Sequence, residues 1–431
     1  MATLKAVRGT RDLLPPETEL WNRIEATARQ VFARYHFGEI RTPIFEDTSL
    51  FARSVGEETD IVSKEMYTWE DRARAQSEKA QSLTLRPENT AGVVRAYIEH
   101  KLGESGQLQK LYYIGPQFRR ERPQKGRYRQ FWQIGAEVIG PPFAGSESPL
   151  RDAEVLEMLA TLLDELGIEG WTLELNSVGS AADRARYNDV LRAALVEVAP
   201  KMCADCQRRA VTNPLRVLDC KVPEDQPIID ALPKITESLD QESKDHFAAV
   251  TAALDAAGVP YTLNPRLVRG LDYYTRTTFE FTHGGLGAQN ALLGGGRYDG
   301  LSEAIGGPKA PGIGFAMGLD RLVLTLQAQE AAQAAEAAAP KVDAYIAPLG
   351  ENLNAAALVL ARELRRAGLA IELGDGSFRL KKSFETADKV ARRIVILGED
   401  ELQSGILTVK DFSTGTQSKI PRAELASFLG L

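Results

Sequence analysis

Residues 108–140 decide the fold, and they read LQKLYYIGPQFRRERPQKGRYRQFWQIGAEVIG. Two apolar runs, 108–115 and 130–140, flank a basic segment, which predicts two strands joined by a long hairpin loop. Residues 119–129 carry 6 basic groups against 1 acidic group. A solvated hairpin tip is one interpretation. Because Phe131 and Trp132 follow at once, a site for phosphates and a stacked base is the other.

The segments around this hairpin alternate between helices and strands. Apolar residues recur at helical spacing from 17 to 35, and again from 151 to 166. Residues 39–45 and 171–176 have the texture of strands. Since Pro43 cannot donate to a ladder, its strand is expected at a sheet edge or an interface.

Changes of texture predict the domain boundaries. Residues 180–258 are rich in helical patterns, whereas strand texture returns at 261. Residues 328–340 form an alanine-rich linker, and beyond it strands and helices alternate as in a small α/β domain. We therefore expect a domain built from 1–179 and 259–327, a helical insertion at 180–258, the linker at 328–340 and a second domain at 341–431.

Composition limits the protein class. The chain has 431 residues, 52 Lys and Arg, 59 Asp and Glu and 3 cysteines, and its net charge of -7 argues against a general nucleic-acid coat. So few cysteines fit a reducing compartment. No run approaches the ~18 apolar residues of a membrane span, and the N-terminus lacks a secretory pattern. The expected location is the cytoplasm, without membrane contact.

Two further segments combine glycines or apolar residues with reactive side chains. Residues 267–274, LVRGLDYY, predict a strand that carries Arg269 and two tyrosines, and a half-exposed structural strand is the alternative. Residues 294–300, GGGRYDG, predict a glycine-rich turn that approaches a ligand or is simply a tight turn. Neither a P-loop nor a dinucleotide fingerprint is present.

The cysteines, Cys203, Cys206 and Cys220, lie within the helical insertion. Tetrahedral zinc needs four ligands, and the next histidine, His246, is 26 residues after Cys220. Although a His or Asp would complete the set, buried free thiols are favoured. We therefore expect no structural zinc.

Taken together, the segments resemble histidyl-tRNA synthetases, a class II aminoacyl-tRNA synthetase family. Residues 38–46, 118–131 and 312–321 resemble the three class-wide motifs, whereas 267–274 and 295–299 resemble the two histidine-specific signatures. The resemblance implies an α+β fold. Its parts are an antiparallel catalytic sheet flanked by helices, a helical insertion and a small C-terminal α/β anticodon-binding domain.

The resemblance also implies residue roles toward ATP. Arg119 matches the arginine at the α-phosphate, Arg321 matches the one at the γ-phosphate, and Arg269 matches a further catalytic arginine at the α-phosphate. Phe131 matches the residue that stacks on adenine, and Glu121 lies where the family contacts the adenine amino group. Such converging cations suit a reaction in which negative charge builds up on phosphate. Mg²⁺ is implied with the triphosphate, without assignable ligands.

For L-histidine, the resemblance implies an α-amino site and an imidazole site. The matching positions are Glu88, Thr90 and Gln133 for the α-amino group, and Glu137, Tyr273, Tyr274 and Tyr298, together with Arg269, for the rest of the amino acid. A carboxylate and phenols suit the two ring nitrogens, which need hydrogen-bond partners.

The implied partners are tRNA(His), L-histidine, ATP and a second copy of the chain. The loop of the basic hairpin would meet the tRNA acceptor end through Arg122, Gln124, Lys125 and Arg127. The implied reaction forms histidyl-adenylate and pyrophosphate, and then transfers histidine to the 3′ end of tRNA(His).

Two alternatives share parts of this pattern. A non-catalytic regulatory paralogue of ATP phosphoribosyltransferase has the catalytic fold, but it typically lacks the anticodon-binding domain and the histidine-specific arginine. A synthetase-like accessory subunit would lose the ATP arginines. Arg119, Arg269, Arg321 and the 341–431 region argue against both.

Overall fold

The computed structural model describes residues 3–56, 59, 61–71, 80–124, 126–268, 273–286, 290–333 and 341–430. The chain forms two compact units, Met1–Gln333 and Ala334–Leu431. Arg269 and Lys125, two of the predicted site residues, lie outside the described residues. Within the described ranges, no helix combines the length and apolarity needed to span a membrane.

The first unit mixes helices and strands along its described residues. Its helices are α1 Glu17–Arg34, α2 Thr48–Val55, α3 Thr90–Glu99, α4 Pro149–Glu165, α5 Ala181–Val198, α6 Ala204–Thr212, α7 Gln226–Asp230, α8 Gln241–Ala257, α9 Leu301–Ala304 and α10 Leu319–Gln333. Its strands are β1 Gly38–Glu39, β2 Phe45–Asp47, β3 Tyr67–Asp71, β4 Gln81–Leu85, β5 Gln109–Phe118, β6 Gln130–Ile139, β7 Trp171–Ser177, β8 Thr262–Leu263, β9 Thr275–His283, β10 Ala291–Arg297 and β11 Gly312–Gly318.

Eight of these strands form one sheet in the order β1-β5-β6-β11-β10-β9-β7-β8. The inner pairs are antiparallel, and only the end strands β1 and β8 pair parallel to their neighbours in the described sheet. The predicted hairpin is confirmed, because β5 pairs with β6 from Gln109↔Ile139 to Phe118↔Gln130. The antiparallel α+β class predicted for the catalytic domain is therefore confirmed.

The single strand predicted over 39–45 is wrong, because it is divided in two. Strand β1 lies at the edge of the large sheet, whereas β2 joins β4 and β3 in a separate sheet. Between them, Arg86 donates hydrogen bonds to the backbone oxygen and the hydroxyl of Thr42, at 3.0 and 2.8 Å. Because Pro43 has no N–H and Thr42 is held by Arg86, the segment cannot continue a ladder.

The glycine-rich turn predicted at 294–300 is also wrong, since Gly294, Gly295 and Gly296 lie inside strand β10. A Cβ on Gly295 would stand 2.7 Å from the Phe279 ring, and one on Gly296 would stand 2.7 Å from the Tyr274 ring. Gly295 and Gly296 are thus needed because a side chain would meet these rings and, at Gly295, also the Gly314 carbonyl oxygen of the next strand. The turn follows them, at residues 299–300.

Helices α1, α4 and α8 cover one face of the large sheet. Their buried apolar side chains form one cluster with inward-facing residues of the strands, such as Ile134, Phe279 and Phe315. On β6, Ile134, Ala136 and Val138 point into this core. Because side chains alternate along a strand, the residues between them lie on the opposite face, where the main cavity is found.

The residues between β7 and α8 form a smaller core of their own. It contains Tyr187, Leu191 and Leu195 of α5, together with Cys206 and Cys220. Around α6 and α7 the chain adopts short 3₁₀ turns at Ala199–Lys201, Pro214–Val217, Pro223–Asp225 and Ile235–Glu237. Helix α8, by contrast, packs its Val250 and Leu254 into the main core.

The second unit is a five-stranded sheet in the order β13-β12-β14-β15-β16. Its strands are β12 Val342–Pro348, β13 Ile371–Leu373, β14 Ala391–Leu397, β15 Ile406–Asp411 and β16 Gln417–Pro421, and its helices are α11 Asn354–Arg366, α12 Leu380–Val390, α13 Glu399–Ser404 and α14 Leu425–Gly430. Strands β13, β12 and β14 run parallel, as the predicted α/β alternation requires, and an antiparallel β15–β16 hairpin completes the sheet.

A buried ion pair ties the centre of the large sheet to α4. Arg297 on β10 is fully buried, donates to both carboxylate oxygens of Asp152 and donates to the Ser146 carbonyl at 2.8 Å. His246 Nε2 and the Thr277 hydroxyl also contact Asp152, at 2.8 and 2.6 Å. Although burial alone raises the pKa of Asp152, the Arg297 charge and these hydrogen bonds hold it below its ordinary value.

We predict that Arg297→Met lowers the free energy of unfolding by about 3–5 kcal/mol, because Asp152 is left as an unpaired buried charge. The control, Arg192→Met, removes a pair whose side chains are 52% and 81% exposed, and it should cost less than about 1 kcal/mol. Urea unfolding of both variants measures the difference. Equal costs would contradict a structural role for the buried pair.

Candidate active site

A cavity of about 480 Å³ opens on the face of the large sheet that the core helices leave free. It is lined by residues from the β4–α3 connection, the β5–β6 hairpin, β9, β10, β11 and the start of α10. The predicted site residues in its wall are Glu88, Thr90, Arg119, Glu121, Arg127, Phe131, Gln133, Tyr273, Tyr274, Tyr298 and Arg321.

Three described residues from the predicted set lie elsewhere. Glu137 is fully buried and stands behind the cavity wall. Arg122 and Gln124 are exposed on the hairpin loop, outside the cavity. The cavity therefore gathers the residues predicted for ATP and histidine, whereas these two residues predicted for tRNA lie outside it.

The beginning of strand β6 contributes Phe131, Trp132 and Gln133 to the cavity wall. Phe131 and Gln133 line it, and Glu137 follows on the same face. Gln133 Oε1 is buried and has no hydrogen-bond partner among the described residues. Since a buried acceptor is costly to leave unpaired, this atom is suited to a ligand that donates a hydrogen bond.

Glu137 joins three elements beneath the cavity. Its carboxyl oxygens receive hydrogen bonds from the Thr90 hydroxyl at 2.7 Å and the Tyr298 hydroxyl at 2.6 Å. Gly314 on β11 pairs with Glu137 on β6, and a Cβ on Gly314 would overlap the Glu137 carboxyl group. Burial raises the pKa of Glu137 to about 8, despite the opposing effect of the two hydroxyls. At neutral pH the group therefore holds a proton in most molecules.

Glu88 lies two residues before α3, and its side chain caps the first turn of the helix. Its two carboxylate oxygens accept the backbone N–H groups of Thr90 and Ala91, at 2.7 and 3.0 Å. These N–H groups have no partner inside the helix, so the side chain stabilises the helix end. Burial raises the pKa of Glu88, although these hydrogen bonds oppose the shift. The cavity thus contains a buried carboxyl group held in a fixed orientation.

Two arginines in the cavity are anchored by backbone carbonyls. Arg119 Nε donates to the Pro87 carbonyl at 2.9 Å, and its guanidinium lies 5.3 Å from the centre of the Phe131 ring. Arg321, in the first turn of α10, donates to the Ala291 carbonyl at 2.6 Å. The carbonyls fix both guanidinium groups in the cavity wall, and Arg119 also lies 3.7 Å from a Glu121 carboxylate oxygen.

The N-terminal segment contacts both the loop between β5 and β6 and the start of α10. Arg11 pairs with Asp320 at 2.9 Å and lies 4.7 Å from the centre of the Tyr128 ring. The backbone N–H of Arg129 donates to the Gly9 carbonyl at 2.7 Å. Because Arg127 also pairs with Glu121 at 3.0 Å, the base of the loop is fixed beside the cavity.

Several cavity residues were not predicted from the sequence. They are Lys221, Glu280, Asn290 and Asp320. Asp320 adjoins Arg321, and Glu280 is a charged residue within the apolar strand 275–283, so both had a local signal. The sequence around Lys221 carried no such signal. Only the tertiary fold brings this loop residue to the cavity.

The raised pKa of Glu137 predicts a pH dependence of stability. The folded chain keeps the proton up to about pH 8. The unfolded chain releases it near pH 4.3, so the free energy of unfolding should fall as pH rises between these values, by at most about 1.4 kcal/mol per pH unit. Glu137→Gln should remove this decline. Urea unfolding at several pH values measures it, with exposed Glu385→Gln as the control, and parallel profiles for wild type and Glu137→Gln would contradict the assignment.

Comparisons with known proteins agree with this geometry. The family model described as "Histidyl-tRNA synthetase" matches residues 9–322, and the one described as "Anticodon binding domain" matches residues 343–430.

Full-length relatives are similar as well. The chain is 72% identical over 427 residues to the histidine–tRNA ligase of Koribacter versatilis (strain Ellin345), covering 99% of this chain and 96% of the relative. It is 55% identical over 428 residues to that of Solibacter usitatus (strain Ellin6076), covering 99% of both. The crystal structure of apo S. aureus histidyl-tRNA synthetase matches with a TM-score of 0.80 and 38% identity over 100% of both chains. The chain belongs to the histidyl-tRNA synthetase family.

Proposed function

We propose that the cavity activates L-histidine with ATP, and that the chain then transfers histidine to the 3′ end of tRNA(His). One observation carries the proposal: residues assigned to two different substrates, from segments more than 200 residues apart in the chain, line one cavity. Membership of the family and the 72% identity to a histidine–tRNA ligase support the same reaction.

The α-amino group of histidine is assigned to Glu88, Thr90 and Gln133. An ammonium group donates three hydrogen bonds, and the site offers a carboxyl group, a hydroxyl and the unpartnered Gln133 Oε1. Glu88 is already fixed by the backbone of α3, so little reorganisation is needed on binding.

The imidazole is assigned to the tyrosine side of the cavity. Tyr273 lies between Tyr274 and Tyr298, with ring centres 5.0 and 6.0 Å away, respectively. Glu137 does not contact the imidazole directly. It acts through the hydroxyl of Tyr298, with which it is hydrogen-bonded. A hydroxyl both donates and accepts, so Tyr298 can contact Glu137 and at the same time pair with an imidazole nitrogen. An apolar amino acid would leave these groups unpaired, which gives selectivity.

ATP is assigned to the arginine side of the cavity. Phe131 stacks on the adenine, Glu121 contacts its amino group, and Arg119 and Arg321 bind the α- and γ-phosphates. The histidine carboxylate attacks the α-phosphorus, a carboxyl O–P bond forms, and the bond to the β-phosphate oxygen breaks as pyrophosphate leaves. Fixed cations stabilise the charge that builds up during this step. Arg269 is assigned to the α-phosphate from the sequence alone, and Mg²⁺ enters with the triphosphate as part of the substrate.

The regulatory paralogue and the accessory subunit are disfavoured as functions. A regulator has no need of Arg119, Glu121, Phe131 and Arg321 around one cavity that also holds the histidine residues. The second unit, matched by the anticodon-binding model, fits a protein that handles tRNA.

Two surfaces are proposed to bind tRNA(His). Arg122 and Gln124 are exposed on the hairpin loop, and with Lys125 and Arg127 they are assigned to the acceptor end. In the second unit, Lys381 on α12 and Arg392 on β14 have side chains that are 89% and 68% exposed, which suits phosphate contacts.

We further propose a cytoplasmic homodimer. Ile44, Phe45 and Trp69 are 45%, 53% and 40% exposed, and the rings of Phe45 and Trp69 lie 6.1 Å apart. Ile44 and Phe45 follow Pro43 in the chain, and Phe45 and Trp69 lie on β2 and β3, the two edge strands of the three-stranded sheet. An exposed apolar patch beside a sheet edge is suited to pairing across a two-fold axis. The three free thiols fit a reducing cytoplasm.

Histidine-dependent ATP–pyrophosphate exchange tests the activation step. We expect wild type to exchange only with L-histidine, and Arg119→Ala to lower the rate about 10²–10³-fold through lost charge stabilisation. The matched control is Arg122→Ala, three residues away and outside the cavity. It should keep exchange but weaken tRNA charging. An Arg119→Ala rate within a few-fold of wild type would refute the role.

Deletion of residues 341–431 tests the second unit. Since Met1–Gln333 is a compact unit with its own core, we expect exchange to persist, while aminoacylation of tRNA(His) falls at least about tenfold for lack of the second anchor. Sedimentation equilibrium must first establish that both proteins are dimers. Equal charging by the truncated dimer would exclude an anticodon-binding role.

A further inference from the structure

Three cysteines and one aspartate meet in the small core between β7 and α8. They are Cys203, Cys206, Cys220 and Asp225, and one ligand atom from each lies within 4.8 Å of all the others. Cys203 caps α6, Cys206 lies in its first turn, and Cys220 and Asp225 flank the loop that precedes α7. None of them lines the main cavity.

The spacing is close to that of a tetrahedral zinc site. Zn–S bonds of about 2.3 Å would place two sulfur ligands about 3.8 Å apart, and a sulfur and an oxygen slightly closer. Cys203 Sγ and Cys220 Sγ are 3.9 Å apart, and Cys220 Sγ is 3.3 Å from Asp225 Oδ2. Side-chain movements of about 1 Å or less would complete the coordination shell.

Backbone N–H groups already hold the candidate ligand atoms in place. The N–H groups of Cys206 and Val222 point to Cys203 Sγ and Cys220 Sγ, each at 3.4 Å. Asp225 accepts the N–H of Cys203 at 3.1 and 3.2 Å through its two oxygens. Such outer hydrogen bonds orient the ligands of metal sites.

Burial gives the cluster the character of a structural site. Cys206 and Cys220 are 0% and 4% exposed, whereas Cys203 is half-buried and leaves an access route for an ion. Apart from helix α5, the surrounding chain consists of short helices and 3₁₀ turns. A small core of this kind gains much from a metal that links distant turns.

We propose that Cys203, Cys206, Cys220 and Asp225 bind one structural Zn²⁺. Three sulfur ligands and one carboxylate form a closed set of four ligand types that zinc accepts, whereas iron–sulfur clusters use four cysteines and Cu(I) prefers soft ligands throughout. The sequence argument against zinc left a His or an Asp open as the fourth ligand, but it weighed only His246 by position. The fold instead supplies Asp225, five residues after Cys220.

Metal content of the full-length protein tests the proposal. Protein prepared without chelators and then dialysed against Zn²⁺ should hold one zinc per chain by mass spectrometry of the metal. Asp225→Asn keeps the size and one acceptor oxygen, but it should weaken zinc binding about 10–100-fold or more. The matched control is Asp205→Asn, which changes an exposed aspartate between Cys203 and Cys206 and should bind zinc as wild type does.

Two further measurements exclude other states of the thiols. Co²⁺ in place of zinc should give the visible bands of a tetrahedral site and thiolate charge-transfer absorption, reduced in Asp225→Asn. Thiol titration of the denatured chain without reductant should find three thiols. Substoichiometric zinc in the wild type, equal binding by Asp225→Asn, or a count of one thiol, which indicates a Cys203–Cys220 disulfide, would each overturn the proposal.

Discussion

The carboxyl group of Glu137 receives hydrogen bonds from Thr90 at the start of α3 and from Tyr298 after β10, and it occupies the space left by Gly314 on β11. These contacts join three parts of the first unit beneath one cavity. Because the group is fully buried, its hydrogen bonds are not exchanged with water, and each partner is held in one orientation. The shape of the proposed histidine site depends on this arrangement.

Glycines make that arrangement sterically possible. A Cβ on Gly296 would meet the Tyr274 ring, and a Cβ on Gly312 would stand 2.5 Å from the Tyr298 ring. Two adjacent strands thus give up side chains so that tyrosines and a glutamate from elsewhere can lie against the sheet. The cost in strand stability is small beside the burial of two aromatic rings.

The other side of the cavity follows a different principle. Arg119 and Arg321 are anchored by the carbonyls of Pro87 and Ala291, so both guanidinium groups are fixed in the cavity wall. The N-terminal segment holds the hairpin base through Arg11. The cavity therefore combines an end lined by a carboxyl group, hydroxyls and an amide with an end lined by arginines, which suits the proposed amino acid and triphosphate.

Local patterns in the sequence predicted helix α1, the β5–β6 hairpin and a site beside Arg119 and Phe131, which both line the cavity. Helical period, strand pattern and adjacent charge are short-range properties, so the sequence alone reveals them. The sequence predicted a turn at residues 294–296, because consecutive glycines favour turns. They lie in a strand instead, where Phe279 of β9 and Tyr274 pack against Gly295 and Gly296. The sequence predicted Glu137 in the pocket wall. Its carboxyl group is buried behind that wall because Gly314, 177 residues later in the chain, leaves space for it. Likewise, only folding brings Asp225 to the cysteines and Lys221 to the cavity wall. These features depend on contacts between distant segments, whose distances no local period encodes, so the tertiary structure alone decided them.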